Sequence, residues 1–130
     1  MSNPIPVLGQ LTPMIPAGKD IKTALAFYEQ KLGFTPTYKA DDLSMVIVRR
    51  GVAEIILLNN DDPRTASETS FRIQLTGIDA LYSEYQAKSI APFHQNDAGG
   101  LGELGSTPWG TREFAVRDLA GVCITFYENR

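Results

Sequence analysis

The pattern that most constrains this chain is a helix followed by three strands, written twice. Residues 21–32 place Ile21, Ala24, Leu25, Tyr28 and Leu32 on one stripe at helical spacing. Asp20 stands at the N-cap and Gly33 just past the C-terminus. Residues 78–88 repeat the stripe with Ile78, Leu81 and Tyr85. Their Ala80-Leu81 echoes Ala24-Leu25 roughly 60 residues on, a period at which repeats are worth seeking. A short strand precedes each helix. The first, 11–16 (LTPMIP), carries two prolines that limit ladder pairing and place it at an edge or a bend. The second alternates cleanly, with Phe71, Ile73 and Leu75 on one face and Arg72, Gln74 and Thr76 on the other. Strands at 34–39, 44–50 and 52–58 follow the first helix. A glycine-rich stretch (90–106), with a short strand near 92–95, follows the second. A hairpin of 111–117 and 122–127 closes the chain around Asp118-Leu119-Ala120-Gly121, which has the Asp-first, Gly-fourth signature of a type I turn. The order is β-α-β-β-β, a polar linker at 59–69, then β-α-β-β-β again.

One helix on four strands covers only one face of a sheet. Two such units therefore predict an α+β fold, a curved mixed sheet with both helices outside and a concave inner face. Half-open sheets with long edges need covering, which favours a dimer. If Phe71, Ile73, Leu75, Phe114, Val116, Val122, Ile124 and Phe126 pack under the helices, the concave face carries Arg72, Gln74, Glu113, Cys123, Thr125 and Tyr127. Periodicity alone leaves open whether those polar side chains meet solvent or a ligand.

The totals narrow the function classes. At 130 residues the chain is expected to be a single domain, with one module at about 10–58, the linker at 59–69 and the other at about 70–128. A net charge of −3 argues against a non-specific nucleic-acid binder. One cysteine excludes an internal disulfide, the N-terminus lacks a basic-then-apolar leader, and no apolar run approaches the roughly 18 residues of a membrane span. A soluble cytoplasmic protein is expected, with no nucleic-acid or membrane partner.

Few residues carry obvious chemistry. His94 is the only histidine, where catalytic zinc or iron sites ordinarily use two or three. Cys123 sits mid-strand with no neighbouring base, as a small buried or groove-lining thiol does. Gly99-Gly100-Leu101-Gly102 neither follows a strand nor opens a helix, so it is no phosphate-binding fingerprint. Asp41-Asp42 and Asp61-Asp62 fit turn and linker positions. Trp109, between Pro108 and Gly110, is the informative residue, and two readings stay open: a core cap, or an aromatic plane on which a flat ligand stacks.

The doubled topology, FYEQKLGF at 27–34, GIDALYSEY at 77–85 and PWGTREFAVRDLAGVCITFYE at 108–128 resemble the vicinal-oxygen-chelate superfamily. That group includes glyoxalase I, extradiol dioxygenases, fosfomycin-resistance enzymes and bleomycin-resistance proteins. The resemblance is closest to the bleomycin-resistance branch and runs from about 11 to 128. It implies metal ligands on the first, fourth, fifth and last strands, positions that fall here at Thr12, near Ile56, at Arg72 and at Thr125. Threonine and isoleucine hold no divalent ion and an arginine repels one. Glu54 is the nearby carboxylate on the fourth strand, and Glu113 lies on the seventh. No metal, cofactor or catalytic residue is therefore expected.

For the metal-free branch, the resemblance implies a homodimer with exchanged N-terminal arms that holds a drug, unchanged, in two interfacial grooves. Trp109 matches the stacking tryptophan and Tyr38 an aromatic groove residue. Leu43 stands where a second aromatic is expected, which removes a contact valued at roughly 1 kcal/mol. Arg72 and the mild net charge work against a cationic glycopeptide. The expectation is a metal-free protein sequestering a drug or a flat aromatic or cationic ligand, bleomycin-like ligands among them. Its ligand-binding residues would be Trp109, Tyr38, Leu43, Arg72, Gln74, Glu113 and Thr125. The alternatives are a glyoxalase- or dioxygenase-like enzyme (lyase, isomerase or dioxygenase) with atypical or absent metal ligands, and a partner-binding module whose cleft its own side chains fill.

Overall fold

The computed structural model describes residues 3–90 and 99–130. In the first half, β1 (Met14–Pro16) leads to α1 (Ile21–Ala26), a π-helical turn (Phe27–Lys31), β2 (Thr35–Lys39), β3 (Met45–Arg50) and β4 (Ala53–Leu58). A short helix, α2 (Pro63–Glu68), joins it to the second half. There β5 (Ser70–Gln74), α3 (Ile78–Ala87), β6 (Gly105–Ser106), β7 (Thr111–Arg117) and β8 (Cys123–Asn129) follow. The strands form two four-stranded sheets, ordered β1-β4-β3-β2 and β5-β8-β7-β6. In each, the strand before the helix runs parallel to the last strand and the other pairings are antiparallel, so both sheets are mixed and share one topology.

The expected elements appear with five differences, one of them β6, which forms within the expected glycine-rich stretch. The opening strand is half its expected length, because Pro13 and Pro16 lack ladder donors. The predicted 21–32 helix is α-helical only to Ala26. Beyond that, the Leu32 N–H donates to the Phe27 carbonyl at 3.2 Å, and this wider turn carries the consecutive Phe27 and Tyr28 inward, where both are buried. The 59–69 segment is not a bare linker. Asp62 accepts from the Arg64 N–H at 3.0 Å, and Pro63 follows as first helical residue, so α2 has an ordinary N-terminus. The last strand starts at Cys123, because the Val122 N–H is taken by Asp118, and it runs to Asn129. The short strand expected near 92–95 lies outside the described residues.

Packing follows the period-2 pattern. Val46, Val48, Ile55 and Leu57 in one sheet, and Phe114, Val116, Ile124 and Phe126 in the other, are buried on the helix side. The Tyr85 ring of α3 meets Phe114 and Phe126 edge-on, with centroids 6.0 and 5.6 Å apart, the arrangement that ring quadrupoles favour. The halves are joined through polar contacts as well as the core. The Tyr85 hydroxyl donates to the Leu32 carbonyl at 2.9 Å. Arg50 on β3 forks onto Glu84 of α3 at 2.7 and 2.8 Å.

Residues 3–13 lie outside this core. Ile5, Val7, Leu8 and Leu11 are all exposed, Leu8 at 97%. The arm touches the body where the Gln10 amide donates to the Val52 carbonyl and the Thr12 hydroxyl donates to Glu54 at 3.1 Å.

Candidate functional site

Register fixes which side chains share the concave face of the second sheet. Arg72 lies opposite Thr125, Gln74 opposite Tyr127, Glu113 opposite Tyr127 and Ala115 opposite Thr125. Since Phe114, Ile124 and Phe126 point the other way into the core, Arg72, Gln74, Glu113, Thr125 and Tyr127 occupy one surface.

Trp109 is delivered to that surface by the β6–β7 connection. Pro108 presets the backbone after Thr107, the Gly110 N–H returns to the Thr107 carbonyl at 3.4 Å, and Gly110 takes φ +87°, a conformation costly for any residue with a Cβ. The Thr107 N–H donates to the Thr111 carbonyl at 2.9 Å and closes the loop. The indole stands at the tip, 66% exposed. Of the two readings open for Trp109, the core cap is excluded. Its ring is offered to solvent.

Glu113 gathers the cluster. Its Oε2 accepts from Arg72 Nη2 at 2.5 Å, from the Thr111 hydroxyl at 2.6 Å and from the Trp109 indole N–H at 3.0 Å. Its Oε1 accepts from Arg72 Nη1 at 3.1 Å, completing a two-bond fork. The Arg72 guanidinium foremost, with the Thr111 hydroxyl and the indole N–H, holds the Glu113 carboxyl down to about 2, against the upward push of burial. Arg72 in turn lies over the Tyr127 ring, 4.2 Å from its centroid. Its charge is thus compensated by a carboxylate and an aromatic face, which weakens its opposition to a cationic ligand.

The remaining candidates are placed differently. Tyr38 is 53% exposed on β2, opposite Ile47, at the outer edge of the first sheet. Trp109 belongs to the second sheet, and neither ring stacks on another aromatic ring among the described residues. Leu43 sits in the β2–β3 turn at φ +56° and packs against the core cluster. The structure therefore brings together Trp109, Arg72 and Glu113, with Gln74 and Thr125 on the same face; it does not bring Tyr38 or Leu43 to them within one chain. Thr111 and Tyr127 complete the cluster and were not among the expected ligand residues. The signal for Thr111 was its two-residue spacing from Glu113, which puts both on one face of β7.

The four positions implied for a metal make a poor donor set. Arg72 and Thr125 are direct strand partners, and Arg72 is engaged by Glu113. Ile56 faces Met14, while the carboxylate beside Thr12 is Glu54. Two hydroxyls, a hydrocarbon and a guanidinium do not fit a divalent ion. His94 lies outside the described residues. Among the described ones no three His, Cys, Asp or Glu residues converge.

A cavity of about 640 Å³ opens between the halves and shares Arg72 and Gln74 with the Trp109 face. Both alternating sets of β5, Phe71 and Ile73 as well as Arg72 and Gln74, line it, together with Leu75 just past the strand, Leu11 of the arm and Leu81 of α3. It follows the edge of β5 that β8 leaves unpaired, and Trp109, Glu113 and Tyr127 are not in its walls. Its lining is mostly apolar, whereas the exposed indole and the Glu113 cluster lie at Trp109.

Comparison with known proteins gives a consistent picture. The model of the glyoxalase/bleomycin resistance protein/dioxygenase superfamily matches residues 14–126. The bleomycin resistance protein of Geobacillus stearothermophilus is 31% identical over 135 residues, covering 92% of this chain and 96% of that protein. The bleomycin resistance protein of Staphylococcus aureus (strain MRSA252) has the same identity and coverage. Among solved structures, the bleomycin-binding protein of Streptomyces verticillus in complex with copper(II)-bleomycin superposes with a TM-score of 0.83 at 28% identity, covering 97% of this chain and 99% of that one.

Proposed function

Since the chain belongs to the glyoxalase/bleomycin resistance protein/dioxygenase superfamily, we propose that it is a metal-free binding protein that sequesters bleomycin or a similar flat, partly aromatic drug in the cytoplasm. The single observation that carries this reading is Trp109: a large aromatic plane held at a loop tip, its N–H occupied and its ring exposed. Arg72, Gln74, Glu113 and Thr125 form the polar floor beside it. Sequestration needs an anchor, a shaped wall and tolerance of the ligand's charge. The indole supplies the first and the concave sheet the second. The compensated Arg72–Glu113 pair supplies the third.

A groove bounded by both Trp109 and Tyr38 would be completed by a second copy, the two rings being on separate sheets of one chain. The working unit is a homodimer, and the N-terminal arm supports exchange. Ile5, Val7 and Leu8 of the arm lie in water, while the apolar cavity that Leu11 borders and an unpaired strand edge lie open nearby. The 31% sequence identity to the Geobacillus stearothermophilus bleomycin resistance protein supports the drug class; the similar Streptomyces verticillus protein was solved with copper(II)-bleomycin.

Incubation with bleomycin followed by mass spectrometry of bound and recovered drug tests the function. Drug retained by the protein and recovered at unchanged mass is the expected result. A product of altered mass would favour the enzyme reading, and absence of retention would refute sequestration of this drug.

A further inference from the structure

We infer that Glu113 is a positioning residue, which holds Trp109 and Arg72 in the orientation the ligand meets without itself contacting the ligand. The inference rests on the reading of the Trp109 face as the drug site. A carboxylate offers about four lone-pair positions. Four donors already occupy it here: Arg72 Nη2, the Thr111 hydroxyl and the Trp109 indole N–H on Oε2, and Arg72 Nη1 on Oε1. The side chain is only 12% exposed, whereas that of Arg72 is 45% exposed and the Trp109 residue 66%. Glu113 is therefore largely spent on its own neighbours and offers a ligand little surface.

What it does have is control of its neighbours. A tryptophan this exposed is ordinarily free to change rotamer, and its indole is tethered here through a single donor to a buried-side acceptor. The same carboxylate sets the plane of the Arg72 guanidinium and so keeps it against the Tyr127 ring. Two recognition groups are thus ordered before any ligand arrives. Ordering a side chain in advance removes that cost from binding, a gain of roughly threefold to tenfold in affinity for one large side chain.

Trp109 is the chain's one tryptophan, so fluorescence reports on it alone. The test compares wild type with Glu113→Ala, Glu113→Leu and Glu113→Gln, using time-resolved anisotropy without ligand and calorimetry with metal-free bleomycin. Glu113→Leu fills the site without an acceptor, which covers the case in which the alanine variant does not fold. In the variants lacking an acceptor, nanosecond motion of the indole should appear and bleomycin affinity should fall roughly threefold to tenfold. Glu113→Gln keeps an amide oxygen for the indole and Thr111 but sets an NH2 group against Arg72, and should restore the immobile indole and part of the affinity. An indole as immobile without the acceptor as with it would overturn the inference, as would equal affinity loss in the Gln and Leu variants. If wild type binds no bleomycin, the drug reading fails, and the anisotropy comparison alone decides the positioning role.

Discussion

The Tyr28 hydroxyl donates to Asp118 Oδ2 at 2.7 Å, joining two buried residues 90 positions apart. Asp118 Oδ1 accepts from the backbone N–H groups of Ala120, Gly121 and Val122 at 3.0, 3.0 and 2.9 Å. One oxygen thus builds the β7–β8 turn and the other ties it to the π turn of the first half. Tyr28→Phe keeps the ring and removes the donor, and should cost about 1–2 kcal/mol. Asp118→Ala strands three backbone donors and the hydroxyl, and should cost about 3 kcal/mol or more. Urea denaturation reads both as lowered midpoints with an unchanged slope.

Acid should act on the two carboxylates in opposite directions. Burial pushes the Asp118 carboxyl above its ordinary 3.8, against the hydrogen bonds from Tyr28 and the turn. A raised acid contributes stability below its unfolded value and loses it as pH rises through the folded one. The Glu113 carboxyl lies at about 2 instead of 4.5, so its contribution is present above 4.5 and disappears as pH falls toward 2. Wild type should therefore lose stability across that interval, and Glu113→Gln should lose less. Glu84, lowered by Arg50, leaves a residual slope in the variant. Melting temperatures measured from pH 5 to pH 2 check the difference in slope, and parallel curves would contradict it.

Gly33 ends the first helix at φ +79°, and a Cβ there would lie 2.6 Å from Arg50 Nη1 and 3.2 Å from its Cζ. Gly33→Ala adds left-handed strain and displaces the guanidinium that binds Glu84 and the Leu32 carbonyl. About 2 kcal/mol of destabilisation is expected. Combining it with Glu84→Gln should cost less than the sum of the two, because both break one ion pair.

The arm makes a prediction of its own. Wild type should sediment as a dimer, and deletion of residues 1–8, which carry Ile5, Val7 and Leu8, should shift the equilibrium toward monomer. A monomeric wild type, or an undisturbed dimer after deletion, would remove arm exchange.

Much of the fold was legible because period and caps agree locally. Asp20 caps the first helix and Gly33 follows the π turn that extends it, Asp118 and Gly121 bracket the last turn, and the alternation in β7 and β8 separated core from concave face. The α2 helix hid because it is six residues long with one buried side chain, so its only signal was the Asp62-Pro63 start. The π turn is set by tertiary packing of Phe27 and Tyr28, which no local pattern encodes. In the site, faces were readable and partners were not. Strand alternation put Arg72 and Glu113 on one surface, but their pairing depends on β5 and β7 flanking β8, a register fixed only when the sheet assembles.

The central claim is that the exposed Trp109 ring anchors a drug. Its most direct test is calorimetric titration of metal-free bleomycin into wild type and Trp109→Ala. Wild type should bind saturably, and the variant should bind about 1–3 kcal/mol more weakly, as expected when an aromatic anchor is lost. Absence of saturable heat in wild type, or equal affinity in the two proteins, would contradict it.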